Sequence, residues 1–302
     1  FGGAYWVWML ILLCFVIQAV SYEYQAKKGN LLGKKTYQIF LIINGVLGPI
    51  LLGTAVGTFF NGAEFSVNKG QMTDIAMPVI STWNNSLHGL EAAFVFWNVC
   101  LGLAVFFLAR VQALLYFINN IDNKDIVGRC RIRLIPETAL FLVFFLLFLV
   151  RLMLVDGFAV NPETQEVFMQ PYKYFINLIE MPAVLAVLLV GVVLVLFGII
   201  KTILSQTWRK GIWFAGTGTV LTVLALLLCA GWNNTAYYPS LTDLQSSLTL
   251  QNSSSSPFTL KVMSYVSILV PFVLAYIFYA WRALDPVSYT HLRAHETRSN
   301  LV

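Results

Sequence analysis

Seven long apolar segments, separated by shorter polar stretches, make up most of the chain. At about 1.5 Å per residue, each is long enough to cross the roughly 30 Å hydrocarbon core of a bilayer as a helix. Because lipid offers the backbone no hydrogen-bond partner, the pattern predicts an all-α fold, a polytopic transmembrane helix bundle with seven spanning helices. The predicted helices are residues 4–21, 38–60, 92–118, 138–157, 181–204, 212–232 and 261–281.

Basic residues are concentrated in the first, third and fifth connections between these segments. They are Lys27, Lys28, Lys34, Lys35, Lys124, Arg129, Arg131, Arg133, Lys201, Arg209 and Lys210. The even-numbered connections are longer and poor in basic residues, with Lys69, Lys173 and Lys261. Since short cytoplasmic loops carry the excess of lysine and arginine, the odd-numbered connections are predicted to be cytoplasmic. Arg282 after the last segment places the C-terminal end on the same side.

Composition supports a membrane protein and excludes a soluble domain. The chain is 58% hydrophobic and 11% charged, with a mean hydropathy of +0.75, whereas soluble proteins carry about 25% charged residues. The net charge of +5 is distributed over short loops, which predicts membrane lipid and not nucleic acid as a partner. The four cysteines show no CxxC spacing and are expected to behave as small buried hydrophobes.

Both ends of the sequence differ from the rest. The chain begins with Phe1 and enters a membrane helix at once, so we expect an N-terminally truncated fragment. After Asp285 the composition changes abruptly, and residues 286–302 are interpreted as a non-native tail. The expected division is therefore a transmembrane domain at 1–285 and a tail at 286–302, which leaves His88 as the single histidine of the domain.

Ionisable residues near or inside membrane spans are candidates for function. Glu91, Glu137 and Glu180 are each placed at a helix start, where the carboxylate either caps unpaired N–H groups or takes part in a proton path. Arg110 is expected to extend its side chain to the cytoplasmic face. Arg151 lies deeper and is predicted to face another helix or subunit, and Asp156 is too far around the helix to pair with it.

Small and polar residues inside the spans predict helix packing. Gly53 and Gly57 lie on one helix face and allow another backbone to approach closely, either within this chain or from another subunit. Asn44 and Asn98 are expected to form hydrogen bonds with neighbouring helices.

Sites for chemistry are scarce in the sequence. Haem iron takes histidine, methionine, cysteine or tyrosine as an axial ligand, and His88 is interpreted as a solvated or hydrogen-bonded histidine beside the membrane interface. No residue spacing indicates a zinc site, a phosphate-binding loop or a catalytic triad. No catalytic or metal-ligating residue is predicted in this chain.

The stretch from Gln245 to Trp281 resembles the C-terminal signature of subunit II of cytochrome bd ubiquinol oxidases. The resemblance is carried by the sequence SLTL at 247–250, the serine run before Pro257, TLKVM at 259–263, and Pro271 followed by LAY at 274–276. Weaker similarity covers the rest of residues 1–285, including Glu23 at the end of the first helix, with Gln18 near the position of a family arginine.

The resemblance implies a bacterial inner-membrane protein with about nine helices in its intact form. It implies that haems b and d and the quinol-oxidation site belong to the partner subunit I. Subunit II would support assembly and proton delivery and, in some members, bind a quinone. The candidate residues for proton transfer or subunit contact are Arg151, Asp156, Glu91, Glu180 and Glu23.

Two alternatives remain from the residues alone. Pro49, Pro182 and Pro271 could interrupt the helices of a secondary transporter, although no two helices show matching interruptions. A polytopic assembly factor is also compatible with the helix pattern, but no feature favours it.

Overall fold

The computed structural model describes residues 2–27, 29–30, 32–68 and 80–299, with side chains up to Leu284. Lys28 and Lys69, assigned above to the first and second connections, lie outside these residues. Within the described residues, seven helices are long and apolar enough to cross a membrane. The predicted all-α membrane bundle is therefore confirmed.

Nine α-helices, four short strands and three 3-10 turns follow one another along the described chain. The spanning helices are α1 Tyr5–Tyr24, α2 Lys34–Asn61, α3 Phe96–Asn120, α4 Lys124–Leu154, α6 Pro182–Leu204, α7 Gly211–Gly231 and α9 Pro257–Ser299. The short helices are α5 Lys173–Glu180 and α8 Leu250–Ser253, and the 3-10 turns are Gly2–Ala4, Leu90–Ala93 and Leu244–Ser246. The strands are β1 Phe65–Val67, β2 Ser81–Trp83, β3 Gly157–Val160 and β4 Val167–Gln170.

Helix α4 begins much earlier than the sequence predicts. Its side-chain cap is Asn123, whose Oδ1 accepts hydrogen bonds from the backbone N–H groups of Asp125 and Ile126 at 2.9 and 3.2 Å. Pro136 therefore lies inside the helix and not at its start. The basic residues of the third connection form the first turns of α4, and residues 121–123 are all that remains of the loop.

The first compact unit comprises residues 1–252. Helices α1 to α4 pack against one another in chain order, α6 packs closely on α7, and this pair lies against α3 and α4. Small residues allow the close approach: a Cβ atom on Gly53 of α2 would lie 2.7 Å from the Cα of Gly102 on α3. The buried core continues from α3 and α4 into the α6–α7 pair through side chains such as Leu101, Phe148 and Leu226.

The second, fourth and sixth connections meet at one end of this unit, which we call the hairpin end. β1 pairs with β2 and β3 with β4, both antiparallel. The connections are joined by β-bridges from Ala63 to Ser240 and from Ala159 to Thr235, and Gln245 forms hydrogen bonds to both backbone groups of Val167 at 3.1 and 3.0 Å. The opposite end, where α3 turns into α4, is the basic end.

The second compact unit, residues 253–302, contains the last spanning helix. Ser256 precedes this helix, and its Oγ accepts a hydrogen bond from the Thr259 N–H at 3.3 Å. Pro257 occupies the first helical position, where a missing N–H costs little. α9 extends to Ser299, past Asp285, where the sequence predicts the start of a non-native tail.

Candidate functional site

Arg151 lies three residues before the end of α4, at the hairpin end. Its guanidinium carbon lies 5.2 Å from the ring centroid of Trp97 at the start of α3, a cation–π contact between the two helices. The buried Nη1 atom has no hydrogen-bond partner among the described residues. The structure therefore leaves one buried nitrogen of a half-buried guanidinium without a partner among the described residues.

Asp156 lines the same cavity as Arg151, which has a volume of about 250 Å³. No ion pair joins the two side chains, as the helical geometry predicts, because no nitrogen–oxygen pair between them lies within 4.0 Å. Asp156 is exposed. Of the five candidate residues, these are the two that the structure brings into one cavity.

A second charged site lies inside the bundle, between α3 and α4. Arg110 donates a hydrogen bond through Nη2 to Oε1 of Glu137. The glutamate is only 6% exposed, and its Oε2 atom has no partner among the described residues. Arg110 lies 14 residues into α3, which places it about 21 Å from the hairpin end of that helix and about 15 Å from the basic end.

The sequence interpretation of this second site was wrong. Glu137 was assigned to a helix start, but α4 begins at Lys124 and so Glu137 lies well inside the helix. Arg110 was expected to extend to the cytoplasmic face, but it instead forms an ion pair with Glu137. Two residues 27 positions apart on different helices gave no local signal of this pairing. Because lipid stabilises neither charge, the pair is the clearest ionisable feature at membrane depth.

The remaining acidic candidates lie apart from both sites. Glu23 forms an exposed ion pair with Lys27 at 2.7 Å, at the end of α1. Glu91 lies in a 3-10 turn and not in α3. One of its carboxylate oxygens accepts a hydrogen bond from the Gly89 N–H at 2.9 Å. The other oxygen is buried and has no partner among the described residues. Glu180 ends α5 and does not begin α6, which corrects the capping assignment, and its carboxylate accepts a hydrogen bond from Asn233.

The short helix α5 was not predicted, and it carries buried polar groups at the hairpin end. The Nζ atom of Lys173 donates to the backbone oxygen of Asn233 at 3.0 Å, and burial lowers the pKa of this ammonium group. Tyr174 donates to the backbone oxygen of Phe60 at 3.1 Å, and burial raises the pKa of its phenol. These bonds attach α5 to the ends of α2 and α7.

The polar residues inside the spans form hydrogen bonds as expected. Asn44 of α2 donates to Oε1 of Gln18 on α1 at 2.6 Å, and Asn98 of α3 accepts from Asn61 of α2 at 2.7 Å. Gly57 lies against Asn98, since a Cβ atom there would be 2.6 Å from the Oδ1 atom. Gly53 and Gly57 thus both contact α3 within this chain.

Comparison with known proteins identifies the family. The family model described as cytochrome bd terminal oxidase subunit II matches residues 1–284. The chain belongs to this subunit II family. Cytochrome bd-I ubiquinol oxidase subunit 2 of Escherichia coli (strain K12) is 26% identical over 296 residues, covering 91% of this chain and 72% of that protein. The protein of the same name from Escherichia coli O157:H7 has the same identity and coverage.

Membership of the subunit II family replaces the transporter and assembly-factor alternatives with an oxidase subunit. Cytochromes carry haem, which raises the question of whether this chain contributes ligands to one. Among the described residues there is no group of three or more histidine, cysteine, aspartate or glutamate side chains that could hold a metal ion. His88 lies in a loop, with its ring 4.9 Å from that of Trp83. Among the residues with described side chains His88 is the one histidine, so they offer no pair of histidines as axial haem ligands.

Gln18 lies near the position at which the family resemblance suggests an arginine. A glutamine amide is neutral and here accepts the hydrogen bond of Asn44. Glu23, one and a half turns further along α1, takes its ion pair from Lys27 instead. Gln18 therefore makes a neutral contact between α1 and α2.

Proposed function

We propose that this chain is the partner of a haem-bearing subunit I in a bacterial quinol:oxygen oxidoreductase, where it supports assembly and delivers protons. Membership of the subunit II family supports the oxidase context. Haems b and d, on this proposal, are bound by subunit I. The chain would have no oxidase activity alone.

The Arg110–Glu137 pair is the observation that carries proton delivery. Reduction of oxygen to water consumes protons, so a path for them must reach the reaction site through a region that lipid and protein keep dry. Glu137 offers a buried carboxylate whose Oε2 atom has no hydrogen-bond partner among the described residues, while its Oε1 atom accepts a hydrogen bond from Arg110. Intramembrane carboxylates are found at such relay positions in proton-translocating proteins.

Exposure of Arg110 supports a contact with subunit I. Its side chain is 47% exposed, although it lies at a depth where lipid would surround it. A neighbouring subunit would supply the polar partners that lipid lacks. Arg151, Asp156, Glu91, Glu180 and Glu23 remain predicted candidates for proton transfer or subunit contact, and a quinone bound by this chain remains a prediction.

The proposed location is the bacterial inner membrane, with the basic end in the cytoplasm. Arg129, Arg131, Arg133 and Lys210 all lie at or near that end, as the positive-inside rule requires. The C-terminal end would be cytoplasmic by the same rule. Protons would then enter from the basic end and reach the Arg110–Glu137 pair, which lies about 15 Å from that end as measured along α3.

The substitution Glu137→Gln tests proton delivery in the complete oxidase complex. Glutamine keeps a hydrogen-bond acceptor for Arg110 but cannot release a proton, so we expect quinol oxidase turnover to fall at least about tenfold, with an unchanged haem spectrum. Proton uptake into the complex, measured with a pH dye during a single turnover, should slow by the same factor. Glu163→Gln, in an exposed turn at the hairpin end, is the matched control and should leave turnover unchanged.

The double variant Arg110→Gln/Glu137→Gln separates proton transfer from a purely structural ion pair. If only charge balance matters, removing both charges will restore turnover. If the carboxylate carries protons, the double variant will remain slow. Normal turnover in Glu137→Gln would overturn proton delivery through this residue, while a normal haem spectrum would leave the oxidase assignment intact.

A further inference from the structure

Arg151 and Asp156 form an unusual pair, because opposite charges share one cavity without contacting each other. Arg151 has a buried Nη1 atom without a hydrogen-bond partner, and Asp156 makes no hydrogen bond or ion pair with any described residue. The cavity between them holds about 250 Å³. It can therefore admit a ligand that carries both a negative and a positive group.

The position of the cavity indicates where such a ligand would come from. Arg151 is near the end of α4 and Trp97 is the second residue of α3, so both lie where the spanning helices meet the hairpin end. Tryptophan and arginine are both favoured at the boundary between hydrocarbon and headgroups. The apolar residues Phe94 and Phe96 beside Trp97 are exposed. We therefore expect the cavity to lie at the depth of the lipid headgroups.

An exposed apolar stripe leads from the cavity along α4 towards the middle of the bundle. Val143, Leu147, Val150 and Leu154 follow one another at helical spacing on one face. Arg151 lies at the edge of this stripe, about 60° from Leu154 around the helix. A lipid whose headgroup occupied the cavity would have its acyl chains along these side chains.

We propose that the cavity binds the headgroup of a zwitterionic aminophospholipid. The phosphate contacts the Nη1 side of Arg151, and the ammonium group contacts the carboxylate of Asp156. A lipid with an anionic headgroup would satisfy the arginine but would be repelled by the aspartate. The same repulsion disfavours an acidic segment of a partner protein. This inference rests on the membrane location of the chain and is independent of proton delivery.

Lipid titration of the purified complex tests the proposal. The oxidase would be delipidated in mild detergent and titrated with phosphatidylethanolamine or phosphatidylglycerol, with bound lipid counted by native mass spectrometry. The site is defined as the lipid retained by the wild type but not by Arg151→Gln. We expect phosphatidylethanolamine to bind there about tenfold more tightly than phosphatidylglycerol, which corresponds to about one satisfied charge pair.

Asp156→Asn provides the sharper test, because an exposed side chain without contacts can be changed without loss of folding. This variant should bind phosphatidylglycerol more tightly than the wild type does, because the repulsion is removed, and it should lose the preference for phosphatidylethanolamine. Lys210→Gln, an exposed cation at the basic end, is the control and should bind both lipids as the wild type does.

Three results would overturn the proposal. Equal binding of the two lipids by the wild type would remove the role of Asp156. Displacement by soluble phosphoethanolamine at the same concentration as the lipid would assign the cavity to a small soluble ligand. Release of subunit I from Arg151→Gln, with lipid binding unchanged, would make the cavity a subunit contact.

Discussion

At the scale of single residues, Arg131 is a cation whose side chain stabilises the fold by binding backbone carbonyl groups. Its guanidinium donates to the backbone oxygen of Thr202, and to those of Ser205, Gln206 and Trp208 at 2.9, 2.9 and 3.1 Å. These carbonyl groups lie at and after the C-terminus of α6, where helical partners are missing. Arg131 therefore caps α6 from α4, although the sequence placed it in a cytoplasmic loop.

Arg131→Gln should destabilise the bundle because an amide cannot reach four carbonyl groups at once. The expected loss is about 2–3 kcal/mol of unfolding free energy, a typical value for hydrogen bonds from a charged group. Thermal unfolding of the purified complex in detergent measures it. Arg129→Gln, an exposed neighbour on the same helix, is the control, and equal melting temperatures for the two variants would contradict the capping role.

At the scale of elements, the packing of α2 on α3 depends on glycine at the point of contact. A Cβ atom on Gly53 would lie 2.7 Å from Gly102 Cα and 2.9 Å from the backbone oxygen of Leu101, whereas one on Gly45 would meet nothing within 4 Å. The two glycines belong to the same helix. Comparing alanine substitutions at these two positions therefore separates the cost of steric overlap with α3 from the effect of alanine on helix propensity.

Gly53→Ala should destabilise the protein by about 1–3 kcal/mol, because two backbones must move apart. Gly45→Ala should be neutral or stabilising by up to about 1 kcal/mol, since alanine is the better helix former. Thermal unfolding of the two variants under one detergent condition makes the comparison. Opposite signs support the α2–α3 contact, and a stable Gly53→Ala variant would refute it.

The elements that could be predicted from the sequence were those defined by hydrophobic length. All seven spans were found because about 20 consecutive apolar residues have few other structural solutions. The start of α4 was missed because Pro136 resembles a helix start, while Asn123 provides the actual side-chain cap. α5 was missed because it has only eight residues, a length at which an isolated helix is not stable. Tertiary hydrogen bonds from Lys173 and Tyr174 hold it in place.

For the candidate site, the sequence supplied information only within single helices. Arg151 was selected because it was expected to lie deep in a span, whereas the structure places it in the last turn of α4 and adds its contact with Trp97. The Arg110–Glu137 pair joins two helices at a separation of 27 residues, and no local pattern specifies such a contact. Ionisable residues with partners on another element, such as Arg110 and Glu137, were thus misinterpreted, whereas the amides Asn44 and Asn98 were not.

At the scale of the whole molecule, polar residues are concentrated in the connections and apolar residues in the spanning helices. The even-numbered connections join into one polar layer at the hairpin end through β-bridges and side-chain hydrogen bonds. Many apolar side chains of the spanning helices remain exposed, which in a membrane protein is the surface for lipid or for other subunits.

The most direct test of this account is a dithionite-reduced minus oxidised absorption spectrum of the protein purified through a tag on this chain, after co-expression with its neighbouring genes. We predict haem b and haem d bands and a second, larger apolar subunit in the same preparation. The bands should be lost when the partner gene is deleted. A chain that purifies alone and without haem from the complete set of genes would contradict the oxidase assignment.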